Sequence, residues 1–421
     1  NGITFGDETG NFICGLGDLN GDGYGDFLVG IGSLHDAGTY DSHGAAYIVF
    51  GSSTNSLDVD LDSIGSVGFR ILGELPNVRI SSCANLGDLN SDGYADFAIS
   101  VASSPMGRTN AGEVLVIFGD EDIFWLLDFQ LSEDPLPVTA FRIYGARDSD
   151  YLVASGRGQG DYNDDGMNDI LIGAPYADPM SRSDAGSSFI IYGTGSNTNN
   201  DIDLLYFMNG TIVQGGSGSV NSGNELFMLR DFDGDGKNDV LAYGGANDVF
   251  IVWGESKDPT STPTLQPTSM PSVYILPLDD IDLAGFEIPQ KGLKITGAAA
   301  EQYVGKSVRG AGDVNNDGYA DLIIGVNNAE PNSLAYILFC RPGEPGFSED
   351  LANFTSSDMN GFRVYGAVED DDLGFAVDGA GDVNSDGFDD VIVGAPNYSP
   401  SGRTHAGSAV IIFGKSTGWE D

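Results

Sequence analysis

The 421 residues carry 63 acidic and 18 basic side chains, a formal charge of -45, with 61 glycines and 41% hydrophobic residues. This balance excludes a nucleic-acid binder, which needs a basic footprint, and simple adsorption to anionic lipid. No window reaches the roughly 18 consecutive apolar residues of a membrane-spanning helix, and the many short apolar runs between glycines point to an all-β chain of repeated units.

In chain order, the first element is the short run "NGITFG" at residues 1–6, followed by a strand that leads into "GDLNGDGYGDFLVG", Gly17 to Gly30. The chain has neither an initiator Met nor a signal peptide ahead of this run, as expected of a processed or trimmed chain. Next come a third strand, "AAYIVFG", and a fourth, "GFRILG". The acidic motif then recurs with its first aspartates at Asp18, Asp88, Asp161, Asp231, Asp313 and Asp382, in steps of 70, 73, 70, 82 and 69 residues. The long step contains a Pro/Thr/Ser insertion at 258–273, of the composition that stays extended and unpacked. The repeats run approximately 7–73, 74–145, 146–215, 216–297, 298–366 and 367–421 within a single domain.

Each copy reads as four strands. The first precedes the acidic loop, as in "GKSVRGAGD". The second follows it ("DFLVG", "DFAIS", "DILIG", "DVLAY", "DLIIG", "DVIVG") and is apolar enough to be buried on both faces. Fourth strands follow five of the third strands ("GFRILG", "AFRIYG", "GTIVQG", "LKITG", "GFRVYG"), but the last copy has none. The orphan at 1–6 has the missing type, so the predicted fold is a β-propeller of four-stranded blades whose last blade is completed by the N-terminal strand, which removes open edges.

The acidic loop is D-x-N-x-D-G-x-x-D. Alternate positions 1, 3, 5 and 9 offer side-chain oxygens and position 7 a backbone carbonyl, a set that wraps a hard cation at about 2.3–2.6 Å and suits calcium better than magnesium. Glycine at position 6 permits the sharp bend, as in EF-hand loops, although the bidentate glutamate and the flanking helices of an EF-hand are absent. In the first copy the ligands are Asp18, Asn20, Asp22, Tyr24 and Asp26, and in the second Asp88, Asn90, Asp92, Tyr94 and Asp96. The third copy supplies Asp161, Asn163, Asp165, Met167 and Asp169, and the fourth Asp231, Asp233, Asp235, Lys237 and Asp239. Asp313, Asn315, Asp317, Tyr319 and Asp321 serve the fifth, and Asp382, Asn384, Asp386, Phe388 and Asp390 the sixth. A single copy would read equally well as a solvated Asx-turn, but six in one register favour up to six structural Ca2+ ions. Those ions would bring the formal charge from -45 to -33.

These motifs, with "IGAP" at Ile172 to Pro175 and "VGAP" at Val393 to Pro396, resemble the FG-GAP repeats of integrin α-subunit propellers, and the likeness covers nearly the whole chain. Integrin propellers have seven blades. Six are counted here, and a seventh lying in a part of the precursor outside this sequence is the alternative. The inserted D-x-S-x-S domain of some integrins is not in this sequence, so integrin-like ligand binding beside a β-subunit does not carry over. Phospholipases with such repeats keep their zinc catalysis in a separate domain, which this sequence also lacks.

No Cys/His spacing suggests zinc and no His/Arg/Glu cluster suggests catalysis, so the chain is expected not to be an enzyme. His43 and His405 sit in the same turn of different copies, and His35 stands alone. Cys14 and Cys83 fall just before two acidic motifs in equivalent strands, which leaves a bridge open against the commoner reading of buried thiols. Asn209, Asn353 and Asn397 head glycosylation tripeptides and favour an extracellular or cell-surface setting.

The expected function is protein adhesion or assembly, including self-assembly, with no nucleic acid and no membrane span. The partner surface is expected on the long loops between second and third strands, at Ser33 to Gly44, Ser103 to Gly112, Ala177 to Gly186 and Pro396 to Gly407. A carbohydrate-binding propeller is the alternative, drawing on the aromatics Phe50, Phe118, Tyr192, Trp253, Phe339 and Phe413 of the third strands. The segment "DIFWLLDFQL" (Asp122 to Leu131) is expected to pack between blades, with Phe124 and Trp125 as the alternative exposed anchor.

Overall fold

The computed structural model describes residues 9–35, 42–52, 64, 67–73, 79–123, 128–132, 136, 138–154, 156–157, 160–193, 201–207, 209–216, 221–245, 248–255, 281–283, 292–298, 304, 307–326, 333–339, 348–357, 361–368, 371–399 and 406–419. The N-terminal strand 1–6, the insertion 258–273, Phe124, Trp125, Cys340 and His405 lie outside these residues. The described chain is all-β, with strands gathered into six sheets and helix limited to short 3-10 turns. It divides into two compact units, one gathering Asn1–Asp161 and Asp165–Val213, the other Gln214–Asp258 and Ile281–Asp421.

In the first unit, Thr9–Gly17, Asp26–His35, Ser42–Val49 and Gly68–Leu72 form one antiparallel sheet in chain order. Arg79–Gly87, Asp96–Ala102, Glu113–Ile117 and Ala140–Tyr144 form the next in the same order. The third copy contributes Ile170–Ala174, Ser187–Ile191 and Gly210–Gln214. In the second unit the fourth copy forms Leu226–Leu229, Asp239–Gly245, Asp248–Val252 and Gly292–Thr296, and the fifth Ser307–Gly312, Asp321–Val326, Leu334–Leu338 and Gly361–Tyr365. The second and third strands are buried on both faces, as their unbroken apolar runs require. Every residue of Asp321–Val326 and Leu334–Leu338 is buried.

The sixth copy stops at three strands, Ala376–Gly381, Asp390–Ala395 and Ser408–Ile412. Its third strand exposes Val410, Ile411 and the adjoining Phe413 at 41–52%, where the equivalents Leu115, Val116 and Phe118 are at most 4% exposed. Beyond that strand, Trp419 stacks on Phe362 at 4.2 Å and meets Phe339 edge-on at 5.5 Å, which fastens the C-terminal residues to the fifth copy.

Two features were not foreseen. A register shift separates the last pairs of the first and second strands at Gly15/Gly17, Asn85/Gly87, Gly310/Gly312 and Gly379/Gly381. The glycine before the first aspartate adopts φ of 84°, 66°, 77° and 64° in these copies, a bulge that only glycine accommodates without strain. The fourth copy has Arg230 there, and its ladder runs unshifted to Leu229↔Asp239.

The second feature is a short parallel strand from one copy that extends the preceding sheet. Phe129–Gln130 pairs with Ile71 and Leu72, Ile202–Asp203 with Ile143 and Tyr144, and Ser348–Asp350 with Lys294 to Thr296. The described part of "DIFWLLDFQL" packs between the first two copies as expected, with Ile123, Phe129 and Leu131 in a core shared with Phe69 and Phe97, and it also adds a fifth strand to the first sheet. An aspartate just ahead of the first two segments fixes them. Asp128 accepts from the Arg70 backbone N–H and Nε, both at 2.8 Å, and also pairs with Arg70 Nη2. Asp201 accepts from the Arg142 N–H at 2.8 Å and from the Tyr144 hydroxyl at 2.6 Å.

Candidate metal-binding loops

All six acidic loops fold alike. The position-1 carboxylate accepts the position-5 N–H at 2.9–3.1 Å and the position-6 N–H at 2.6–2.9 Å in every copy, from Asp18 through Asp382. The position-5 carboxylate accepts the position-7 N–H at 2.9–3.0 Å. This contact uses only the backbone of position 7, where side chains as different as Tyr24, Tyr94, Met167, Lys237, Tyr319 and Phe388 stand. The position-6 glycines have φ of 86–96°, as the motif predicts. Position 4, to which the motif assigns nothing, is also left-handed throughout, in Gly21, Ser91, Asp164, Gly234, Asn316 and Ser385.

Position 9 was expected only as a closing ligand, and its structural task is larger. Asp26, Asp96, Asp169, Asp239, Asp321 and Asp390 are each at most 4% exposed. One oxygen accepts the position-2 N–H, as from Leu19, Leu89, Phe232, Val314 and Val383 at 2.7–2.9 Å. The other accepts a glycine N–H just past the third strand, as from Gly51, Gly119, Gly193, Gly254 and Gly414 at 2.7–2.9 Å. The carboxylate thus joins the loop to the end of the third strand. Burial, more than it is offset by these amides, pushes Asp26 up to about 6, Asp96 to about 7 and Asp239 to about 8, and neighbouring loop carboxylates add to the rise.

The donor set is all oxygen and therefore hard. In the fourth copy one oxygen each of Asp231, Asp233 and Asp239 lies within 4.8 Å of the others, a convergence that fits a divalent cation. The position-5 carboxylate also has a side-chain donor beside it. This is the position-3 amide in Asn20–Asp22, Asn90–Asp92, Asn315–Asp317 and Asn384–Asp386, at 2.8–3.4 Å. In the fourth copy Asp233 replaces that amide, and Lys237 pairs with Asp235 instead. Burial and the Asp235 charge raise Asp233 above the usual carboxylate range.

Adjacent loops interlock within each unit. The Asp18 carbonyl accepts the Ala95 N–H at 2.9 Å, and the Asp88 carbonyl accepts Asn168 Nδ2 at 3.0 Å. The Asp313 carbonyl accepts the Asp389 N–H at 3.2 Å, and Asp389 Oδ2 accepts the Asp313 N–H at 2.8 Å.

Of the remaining sequence candidates, Asn209, Asn353 and Asn397 are exposed. Their amides donate to the Tyr192 carbonyl, Asp350 and Asp372 respectively. His43 lies in the strand Ser42–Val49. Cys14 and Cys83 form a disulfide with Cα atoms 6.2 Å apart, which overturns the buried-thiol reading: the two equivalent first strands bring the pair within bridging reach.

Comparison with known proteins matches the FG-GAP repeat to residues 84–117, 158–191, 307–338 and 374–412, the second, third, fifth and sixth copies. The first and fourth copies share the same strand order and loop geometry. Mouse phosphatidylinositol-glycan-specific phospholipase D is 29% identical over 199 residues, covering 46% of this chain and 22% of that protein. Integrin alpha pat-2 of Caenorhabditis briggsae is 24% identical over 253 residues, covering 60% of this chain and 18% of that protein. Mouse integrin alpha-IIb is 32% identical over 133 residues, covering 30% and 12%. The chain thus spans less than a quarter of the length of each of these relatives. It carries FG-GAP repeats and is an integrin alpha-like, propeller-type repeat domain.

Proposed function

We propose that the chain is a non-enzymatic, calcium-stabilised β-propeller that works outside the cell as a protein adhesion or assembly module. The observation that carries this is the recurrence of one oxygen-rich loop geometry six times, with a buried carboxylate in each whose charge a dication would favour. Up to six Ca2+ ions offset the carboxylate repulsion and pin the first turn of each blade. The six copies form a ring of six blades, and residues 1–6 supply the fourth strand of the last one. The exposed Val410, Ile411 and Phe413 support that placement.

The Cys14–Cys83 bridge supports an oxidising, extracellular setting, and the exposed Asn209, Asn353 and Asn397 suit glycan attachment there. The carbohydrate-binding alternative loses support because Phe50, Phe118, Tyr192 and Phe339 are only 4–5% exposed and belong to the core. The integrin names among the relatives favour a protein partner.

Calcium removal tests the core of this reading. Calorimetric melting in excess EGTA is expected to fall by several degrees relative to millimolar calcium, because the ion binds the folded state alone. An unchanged melt overturns the calcium role. Cross-linking on the native surface is expected to trap a protein neighbour, and a surface on which only glycans are trapped would replace the adhesion reading.

A further inference from the structure

The sheet Arg79 to Tyr144 ends, opposite its acidic loop, in a cleft of about 920 Å3 on the loop expected from sequence to meet a partner. The ion pair in its floor is satisfied in advance. Arg142 donates to Glu113 at 2.9 Å and to the Leu131 carbonyl at 2.7 Å, and both members of this ion pair are mostly buried. The walls include Val101, Leu131 and Leu152, all at most 6% exposed.

The mouth is different. Met106 is 65% exposed and Tyr151 41%, and both hold left-handed backbone, φ 53° and 50°. A non-glycine residue kept in that region has its geometry imposed by its surroundings. The Tyr151 N–H donates to the Asn110 carbonyl at 3.2 Å, and its ring stands edge-on to exposed Tyr176 with centroids 5.3 Å apart. Large apolar side chains at the mouth of a cleft with apolar walls and an internally paired floor have the composition of an interface anchor site.

We propose that this cleft docks an extended segment of a protein partner, which inserts a bulky aromatic or aliphatic side chain and carries basic residues alongside. The inference rests on the protein-partner reading above and adds where, and by what chemistry, the partner is held. The volume suits a short peptide stretch. Ser81, Ser103, Ser104, Asn110 and Ser132 also line the cleft. The exposed Met106 and Tyr151 at its mouth and the apolar Val101, Leu131 and Leu152 nonetheless favour a bulky apolar side chain over a saccharide. The basic flank follows from charge. The chain is at -45, and Arg142 within the cleft and Arg108 on its loop are paired to Glu113 and to Asp203, so the approaching segment meets a negative field.

The test is selection of a random-peptide phage library on the full chain in calcium, followed by titration of the synthesised winners. Enriched peptides are expected to carry a large apolar residue beside Lys or Arg. Their Kd is expected to rise about tenfold or more in the Met106→Ala/Tyr151→Ala double variant, whose melting is unchanged because both residues are at the surface. Peptides that bind the double variant as tightly, a library that yields no enrichment, or a glycan array whose binding the double variant abolishes would each overturn the cleft assignment. If surface cross-linking still traps the same neighbour with the double variant, the cleft assignment fails and the adhesion reading stands.

Discussion

At the scale of single residues, buried carboxylates organise the chain, and they do so differently inside and outside the loops. Asp150 shows the cost without any loop around it. It is 4% exposed, accepts the Arg147 N–H at 2.8 Å, and burial raises it to about 6 from an ordinary 3.8, with Asp178 adding to the rise and Arg147 opposing it. A carboxyl with a raised folded-state value binds its proton more tightly folded than unfolded. Its ionised form therefore weakens the fold above about pH 6, and that penalty fades as the pH falls toward 3.8. Asp150→Asn keeps an acceptor for the Arg147 amide. It is expected to stabilise the protein by about 2 kcal/mol at pH 7.5 and by almost nothing at pH 4, read as the difference between the two urea-unfolding curves. A gain independent of pH would show that the burial charge is not the cause. The acidic loops and their repeat were legible from spacing alone. The double clamp made by Asp26 and its equivalents was not, because its second partner lies a whole strand pair away, at Gly51 or Gly119.

At the scale of elements, the strands were legible where they are long and uniformly apolar. The two- and three-residue parallel strands were not, since Phe129–Gln130 or Ile202–Asp203 is too short to show any period. A retrospective signal exists in the arginine of "GFRILG" and "AFRIYG", which meets an aspartate 58 or 59 residues later. The Arg70–Asp128 contact is bidentate and about one-third exposed, so solvent screens it. A double-mutant cycle with Arg70→Ala and Asp128→Ala is expected to give a coupling energy of about 1 kcal/mol, measured by chemical denaturation. Additive losses would mean that the parallel strand is held by its backbone ladder alone. The bulge glycines before four of the loops belong to this scale too. Gly17, Gly87, Gly312 and Gly381 turn the chain so that the first aspartate starts the loop, a role that the recurring "GD" dipeptide hinted at without revealing.

At the scale of the molecule, six copies were countable from the aspartate spacing, and six sheets appear. The first, second, fourth and fifth copies show the four expected strands in order. The third copy's Gly156–Arg157 lies outside its own sheet, and the sixth copy shows three strands among the described residues. Cysteine pairing was not legible, because sequence places Cys14 and Cys83 in equivalent strands without telling how near equivalent strands lie. The bridge spans a separation of 69 residues. Chain-entropy arguments give a closed loop of that length about 4 kcal/mol of stabilisation, so Cys14→Ser/Cys83→Ser is expected to unfold at clearly lower denaturant than the parent. Equal midpoints would assign the bridge no role in stability.

That same bridge encloses about one repeat's length of chain, from the first strand of the first copy to the first strand of the second. A peptide bond cut anywhere between Cys14 and Cys83 leaves both fragments covalently attached, so proteolytic trimming within the first copy does not shed the N-terminal piece. A protease-nicked chain should therefore migrate intact on a non-reducing gel and split into two bands only after reduction. A surface carrying such a protein would keep its display through cleavage and lose it to a reductant.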